Sequence, residues 1–248
     1  MKTTVRYLGL RPISILRPTA LACFALVVAV MGHGQQVPPS APGLPTLTTA
    51  EQVRELTREQ AKRGFPVRLR AVVTYVDFAV GDFFAQDATA GIYVNETDPS
   101  LRFQPGELLE IEGITEELDF APQIARARYR VLGRAPLPRP RKVHLGDLLS
   151  TREDSQWVQL EGIVQGVEPG RDHLKLDLVS EGKSLLVSFM DPTGLDAHLI
   201  DTRVRVTGVC AALYNPYNQL IGVWLAVPTS RQITVIELRQ FSVALDQS

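Results

Sequence analysis

The chain has 248 residues, of which 45% are hydrophobic, so it can bury one large core or two small ones. Its 26 lysines and arginines nearly balance 27 aspartates and glutamates. That balance excludes a strongly basic protein of the kind that binds DNA or anionic membranes non-specifically.

Residues 1–34 have the layout of a secretory signal peptide. Four basic residues and no acidic one stand in this segment, and an apolar run of 12 residues, Ala20 to Met31, precedes Gly32-His33-Gly34. This pattern predicts cleavage after Gly34 and a periplasmic or secreted protein with a net charge of −5. The run is shorter than the about 20 residues of a bilayer span. An uncleaved anchor and a lipoprotein site at Cys23 are the alternatives.

Removal of that segment would leave a single cysteine, Cys210. A lone cysteine cannot form an internal disulfide. Because Cys210 stands in an alternating strand pattern, we expect its thiol to be buried and inert.

A Pro-rich spacer at 35–47 precedes the first predicted helix. Thr48, with Glu51 three residues later, resembles a capping box, and the helix it predicts runs to about Arg63 and ends at Gly64. One face of this helix carries the apolar residues Val53, Leu56 and Ala61. We expect the helix to plug an open end of a barrel, so the first domain is predicted at 48–133.

Five short strands are predicted within 66–133. The central segment, Asp82 to Val94, has the pattern of strand, turn and strand, with Asp87 to Gly91 in the turn. It resembles the second and third strands of an OB-fold, a small five-stranded barrel. One side-chain parity should fill the interior, namely Val67, Leu69, Ala71, Val73, Phe83, Ala85, Ile92, Val94, Leu109 and Ile111.

A linker at 134–156, Pro-rich at its start, contains a short predicted helix at Leu145–Leu149. A second barrel is predicted at 157–228, followed by a C-terminal strand or tail at 229–248. Within that tail, Gln232–Ile236 has a strand pattern and Leu238–Phe241 could begin a further helix.

An internal repeat supports this division. Val67–Val73 is similar to Val158–Val164, and Glu107–Gly113 is similar to Thr202–Gly208, roughly 90 residues later. The predicted fold class is therefore all-β, with two tandem OB-like five-stranded barrels, each preceded by a short helix.

The outward side of the first hairpin offers a candidate ligand-binding site. OB-folds bind ligands on the face of strands 2 and 3. Two rings could stack there and three polar side chains could form hydrogen bonds, namely Phe84 and Tyr93 with Arg68, Arg70 and Gln86. The alternative is that Phe84 and Tyr93 pack under a loop or against the other domain.

Arg126, Arg128 and Arg130 alternate along the last strand of the first unit. Cross-strand pairs with Glu110 and Glu112 explain them better than polyanion binding, because 66–133 holds six basic and eleven acidic residues. In the second unit the mixed aromatic and polar loop Tyr214–Asn218 is better explained as a turn.

The sequence carries no recognisable catalytic or metal motif. Asp77, Asp82 and Asp87 lack the spacing of a calcium loop, and Asp87 is predicted to stabilise the hairpin turn. We expect no enzyme activity, metal or cofactor. Three histidines remain after residue 34, none at ligand spacing from Cys or Glu, namely His144, His173 and His198.

Several segments carry a family resemblance over about residues 44–248. They resemble the extracytoplasmic tandem OB-fold sensor region of bacterial histidine-kinase-type receptors. This resemblance implies a non-enzymatic binding or sensor module for a glycan, peptide or protein ligand, with a membrane receptor as partner. The chain departs from the receptor pattern, since it has no kinase, no phospho-acceptor histidine motif and no later membrane span. The segments are Leu47–Val53, Phe65–Tyr75, Phe83–Val94 and Ile233–Ile236.

The segment Phe84–Thr89 is also similar to the OB modules of secreted bacterial nucleases. This second resemblance implies a nucleic-acid-binding protein or an accessory module of a nuclease. The acidic charge of the first unit makes nucleic acid the alternative ligand.

Overall fold

The computed structural model describes residues 6–7, 43–77, 82–95, 102–117, 121–150, 152–170, 173–195, 199–214 and 220–237. Most of these residues are in β-strands, with short helices before each of two barrels, and the predicted fold class is confirmed. No helix in this part of the chain is long and apolar enough to cross a membrane. Of the predicted signal segment, only a two-residue strand is described, β1 (Arg6–Tyr7). The predicted helix start at 238–241 lies outside the described residues.

The first barrel is a closed ring of five strands. They are β2 (Pro66–Asp77), β3 (Asp82–Gln86), β4 (Gly91–Asn95), β5 (Glu107–Glu117) and β6 (Pro122–Arg134). The ring order is β2-β3-β4-β6-β5, closed by pairing of β5 with β2. Only β4 and β6 pair in parallel. This order, with the third strand beside the fifth, is the OB-fold topology.

The predicted interior of this barrel is also confirmed. All ten residues assigned to the inward parity are at most 2% exposed. Phe103 and Tyr129 add edge-to-face rings to the core, with centroids 4.6 Å apart and Phe83 beside Phe103. Alternation along the strands was sufficient for this result, because a closed barrel has only one inside.

The helix before the first barrel is two short helices, α1 (Ala50–Arg54) and α2 (Arg58–Ala61), rather than the single predicted one. The capping box of α1 is also shifted by one residue from the prediction, to Thr49 and Gln52. The hairpin turn explains the shift, because Asp87 Oδ2 accepts a hydrogen bond from the backbone N–H of Ala50 at 2.7 Å. A second capping box at Thr57 starts α2.

The second barrel repeats the topology of the first. Its strands are β8 (Trp157–Pro169), β9 (Leu174–Ser180), β10 (Lys183–Asp191), β11 (Arg203–Tyr214) and β12 (Leu220–Thr229). Pairing runs β8-β9-β10-β12-β11 and returns to β8, with β10 and β12 parallel. Helix α3 (Leu145–Leu149) precedes it, as predicted.

Short strands extend this sheet beyond the ring. The strand β7 (Arg141–Lys142) joins β8, and the predicted C-terminal strand is β13 (Ile233–Glu237), paired with β11. Strand β1 also pairs with β11, at Leu213 and Tyr214.

Corresponding positions of the two barrels carry an ion pair of opposite polarity. In the first barrel Arg70 of β2 lies opposite Glu110 of β5, with 3.6 Å between Nε and Oε1. In the second barrel Glu161 of β8 lies opposite Arg205 of β11, with 2.6 Å between Oε1 and Nη2. The repeat therefore keeps the cross-strand pair and exchanges its charges.

Candidate functional site

An aromatic junction joins the two barrels. On the first barrel it consists of Tyr75, Phe84 and Tyr93, and on the second it is centred on Trp157 and Trp224. The rings of Tyr75 and Trp224 meet edge to face, with centroids 6.2 Å apart, and those of Phe84 and Tyr93 are 5.2 Å apart. Burial raises the pKa of the Tyr75 phenol, and the charge of Asp77 adds to the effect.

Hydrogen bonds complete the junction beside these rings. The side-chain amide of Gln156 pairs with the backbone of Gly91, since its Oε1 accepts from Gly91 N at 3.1 Å and its Nε2 donates to Gly91 O at 3.3 Å. Gln86 Oε1 accepts from Trp157 N at 2.8 Å. The outer side of the β3–β4 hairpin is thereby attached to the start of β8.

The structure divides the predicted ligand-binding site between two places. Phe84 and Tyr93 are only 4% and 6% exposed, so the prediction of an exposed stacking surface is wrong for these rings. The alternative interpretation, packing against the other domain, describes their position. Gln86 lies at the same junction, whereas Arg68 and Arg70 are exposed on β2.

Sequence reasoning missed the junction because strand parity tells which residues point out of a barrel but not what covers them. A partial signal was present. Aromatic side chains at outward positions were confined to one side of the first unit, and a second barrel was already predicted to follow.

The two arginines belong to a charged ladder on the outer face of β2, β5 and β6. Glu110 accepts from Arg130 at 2.7 Å and from Arg68 at 3.3 Å. These hydrogen bonds, led by that of Arg130, hold the pKa of Glu110 below its ordinary value. Cross-strand pairing is therefore confirmed for Arg130. Arg128 stands opposite Glu112 in the register, but among the described residues no ion pair joins Arg126 or Arg128 to either glutamate.

A cleft of about 550 Å³ opens between the barrels. Its apolar part combines the end of β2, the Pro-rich linker after β6, and the ends of β10 and β12. The linker is held there because Ala135 N donates to Gly106 O at 2.9 Å. The apolar lining residues include Val76, Leu137, Met190 and Pro228.

Polar side chains from both barrels also line the cleft, among them Gln104, Arg134, Asp191 and Arg231. Arg134 donates to the carbonyl of Pro105 at 3.1 Å. Hydrogen bonds from Thr193, and then the charge of Arg231, hold the pKa of Asp191 low. Asp191 consequently stays ionised at neutral pH. The cleft can thus both contact an apolar group of a ligand and form hydrogen bonds with it.

The three aspartates considered above as calcium ligands lie along the hairpins β2–β3 and β3–β4. Asp87 Oδ1 accepts from the N–H groups of Thr89 and Ala90 at 2.7 and 3.0 Å, which confirms its predicted role in the turn. Asp82 accepts from the hydroxyl of Tyr93. Asp77 stands opposite Asp82 in the pairing of β2 with β3.

The remaining sequence candidates contribute no cluster among the described residues. No three His, Cys, Asp or Glu side chains there are placed to hold a metal ion. Cys210 is buried as predicted, and burial raises the pKa of its thiol. The loop 215–218 and His198 lie outside the described residues.

Comparison with known proteins assigns no family. No family model and no curated protein matches the chain. Among solved structures, it is similar to an aspartyl-tRNA synthetase from Entamoeba histolytica (16% identity, TM-score 0.31), over 40% of this chain and 22% of the synthetase chain.

Two further solved structures are similar to a comparable degree. A murine DNA-binding protein bound to double-stranded DNA has 10% identity and a TM-score of 0.33, over 64% of this chain and 92% of that one. The hypothetical protein YgiW from E. coli has 20% identity and a TM-score of 0.30, over 40% and 99%. At these scores the similarities assign no function.

Proposed function

We propose that this chain is a non-enzymatic binding module of the extracytoplasmic sensor type, with its ligand in the cleft between the barrels. The observation that carries the proposal is the cleft itself. It is about 550 Å³ in volume, has both apolar and polar side chains in its lining, and is formed by both barrels and the linker. Ligand sites are concave, mostly apolar and frequent between domains.

The junction favours the cleft over the hairpin face as the binding site. The surface that OB-folds ordinarily present to ligands is covered here by Trp157 and Trp224. A ligand on that surface would have to separate the barrels. The cleft, in contrast, is open without any such change.

The chemistry of the lining favours a short peptide or a small glycan. The cleft carries one carboxylate, Asp191, beside Arg134 and Arg231, so its local charge is small. Amide and hydroxyl side chains such as those of Gln104, Thr229 and Gln232 can donate and accept hydrogen bonds. These groups suit a ligand with many neutral polar groups.

Nucleic acid is the alternative ligand, and a different observation favours it. Arginines line the outer face of β2 and β6, away from the cleft. Binding to a polyanion there would weaken steeply with salt because counterions are released, whereas a neutral ligand in the cleft would show little salt dependence.

A blocking substitution tests the cleft. We expect Ala135→Trp to weaken ligand binding at least about tenfold, because an indole would occupy space that the ligand needs. The measurement is a screen of glycans, peptides and single-stranded oligonucleotides at two salt concentrations, followed by titration of the ligands that bind.

Ala88→Trp is the matched control, since Ala88 is exposed on the hairpin turn and does not line the cleft. It should bind as the unmodified protein does, and both variants should keep the β-sheet circular dichroism spectrum. If the Ala135 variant bound its ligand as tightly as the unmodified protein does, the cleft would be refuted as the binding site. Steeply salt-dependent binding of oligonucleotides alone would support the alternative.

The extracytoplasmic location rests on the sequence of residues 1–34. We expect the exported protein to begin near Gln35, which mass spectrometry of the periplasmic or secreted fraction would detect. Leu26→Arg, within the apolar run, should block export, because a charge there is incompatible with the apolar core of a signal peptide. Cys23→Ser should leave export unchanged. Full-length chain in the cytosol would contradict this location.

A further inference from the structure

The basic residues of the first barrel are concentrated on one face. Residues 66–133 contain six of them and eleven acidic residues. Five of the six lie on two strands that flank β5, namely Arg68 and Arg70 on β2, and Arg126, Arg128 and Arg130 on β6. An acidic barrel thus carries a locally basic surface, which is the charge distribution that attracts an anion.

Two of the glutamates of β5, Glu110 and Glu112, neutralise only part of this surface. Glu110 pairs with Arg68, Arg70 and Arg130, and Glu112 pairs with Arg68 at 3.2 Å. Within the described parts of the chain, Arg126 and Arg128 form no ion pair with either glutamate. Their guanidinium groups keep donors for a ligand.

These arginines line a common pocket. A cavity of about 200 Å³ lies between β2, β5 and β6, with Arg68, Arg126 and Arg128 on its walls together with Glu112. Three arginines against one carboxylate give the pocket an excess of positive charge. Guanidinium groups bind oxyanions through paired N–H donors, which makes them suited to phosphate and sulfate.

The backbone at Arg126 is held in an unfavourable conformation. Its φ is +53°, in the left-handed region that favours glycine. The strands β5 and β6 shift register there, and Gly113 of β5 lets them approach so closely that a Cβ at Gly113 would lie 2.9 Å from Ala125 O. An arginine at this position therefore costs stability that a glycine would not.

From these observations we propose that the pocket of Arg68, Arg126 and Arg128 binds a tetrahedral oxyanion, a phosphate or sulfate group. The site is on the outer face of the first barrel and is separate from the inter-barrel cleft. Arg126 and Arg128 bind the oxyanion directly. Arg68, which is also paired with Glu110 and Glu112, completes the wall of the pocket.

Titration of the full chain with sodium phosphate tests the site, with sodium chloride at equal ionic strength as the reference. We expect saturable NMR shifts of the Arg126 and Arg128 side-chain N–H signals with phosphate and none with chloride. Arg128→Gln and Arg126→Gly should each weaken phosphate binding about tenfold, since each removes charge-assisted hydrogen bonds.

The Arg126 variant distinguishes a binding role of this side chain from a structural one. Because glycine accepts the left-handed backbone, Arg126→Gly should keep the melting temperature or raise it by about 2 °C while it loses phosphate binding. Arg139→Gln, an exposed arginine of the linker, and Ala135→Trp, in the cleft, should bind phosphate normally. Failure of the cleft proposal would therefore leave this result unchanged.

Two further ligands distinguish a phosphate monoester from a phosphodiester backbone as the natural source of the bound anion. Equal binding of glycerol 3-phosphate and dimethyl phosphate would indicate that a nucleic-acid backbone can occupy the pocket, and preference for the first would indicate a phosphate monoester. Either result supports the site. Non-saturable shifts, phosphate binding that survives both arginine substitutions, or binding of oligonucleotides without any binding of phosphate would overturn it.

Discussion

Replacing Trp224 with alanine is expected to lower the free energy of unfolding by about 3–5 kcal/mol, which is the usual cost of truncating a buried tryptophan. Trp224 is 5% exposed, and its ring meets that of Tyr75 of the other barrel edge to face. Truncation would leave a cavity at the centre of the junction. Urea unfolding followed by circular dichroism measures the loss.

Ile221→Ala on the same strand is the matched control. Ile221 is 48% exposed, so its truncation should change the free energy of unfolding by no more than about 0.5 kcal/mol. A loss at Trp224 as small as that at Ile221 would mean that the aromatic junction does not hold the barrels together in solution.

Gly91→Ala is expected to lower the free energy of unfolding by about 1–3 kcal/mol and to open the junction. A Cβ at Gly91 would lie 1.9 Å from the backbone oxygen of Ser155, which no side-chain rotation can relieve. The strand would have to move away from the second barrel, and the paired hydrogen bonds between Gly91 and Gln156 would lengthen or break. Urea unfolding gives the cost, and proteolysis of the linker reports the opening.

Gly146→Ala is the control for this second substitution. Gly146 lies in α3, where an added Cβ would have no atom within 4 Å. Alanine is the better helix former, so this variant should raise the free energy of unfolding by about 0.5–1 kcal/mol. Unchanged stability and unchanged resistance to proteolysis in the Gly91 variant would contradict the close approach of the barrels.

The sequence was sufficient for the strands, the two barrels and their interiors because those features depend on local periodicity and on the repeat. Leu145–Leu149 was likewise predicted with its observed bounds. The predicted start of α1 differs from the observed one by one residue. The hydrogen bond from Ala50 N to Asp87 that fixes this start joins residues distant in the sequence. The sequence pattern placed the cap at Thr48, and the structure has it at the adjacent Thr49.

The candidate sites were less predictable for the same reason. The cleft draws its lining from segments near Val76, Gln104, Leu137, Met190 and Arg231, which no sequence pattern brings together. For the rings of Phe84 and Tyr93, the pattern gave the correct side of the strand but not the barrel that covers it.

The opposite polarity of the ion pairs in the two barrels has a consequence for folding. Repeated domains in one chain can exchange equivalent strands and misassemble. If β2 paired with β11, Arg70 would stand opposite Arg205, and if β8 paired with β5, Glu161 would stand opposite Glu110. Like charges at directly opposed positions destabilise a strand pair. Each barrel therefore recognises its own strands by charge, and hybrids of the two repeats are disfavoured as the chain folds.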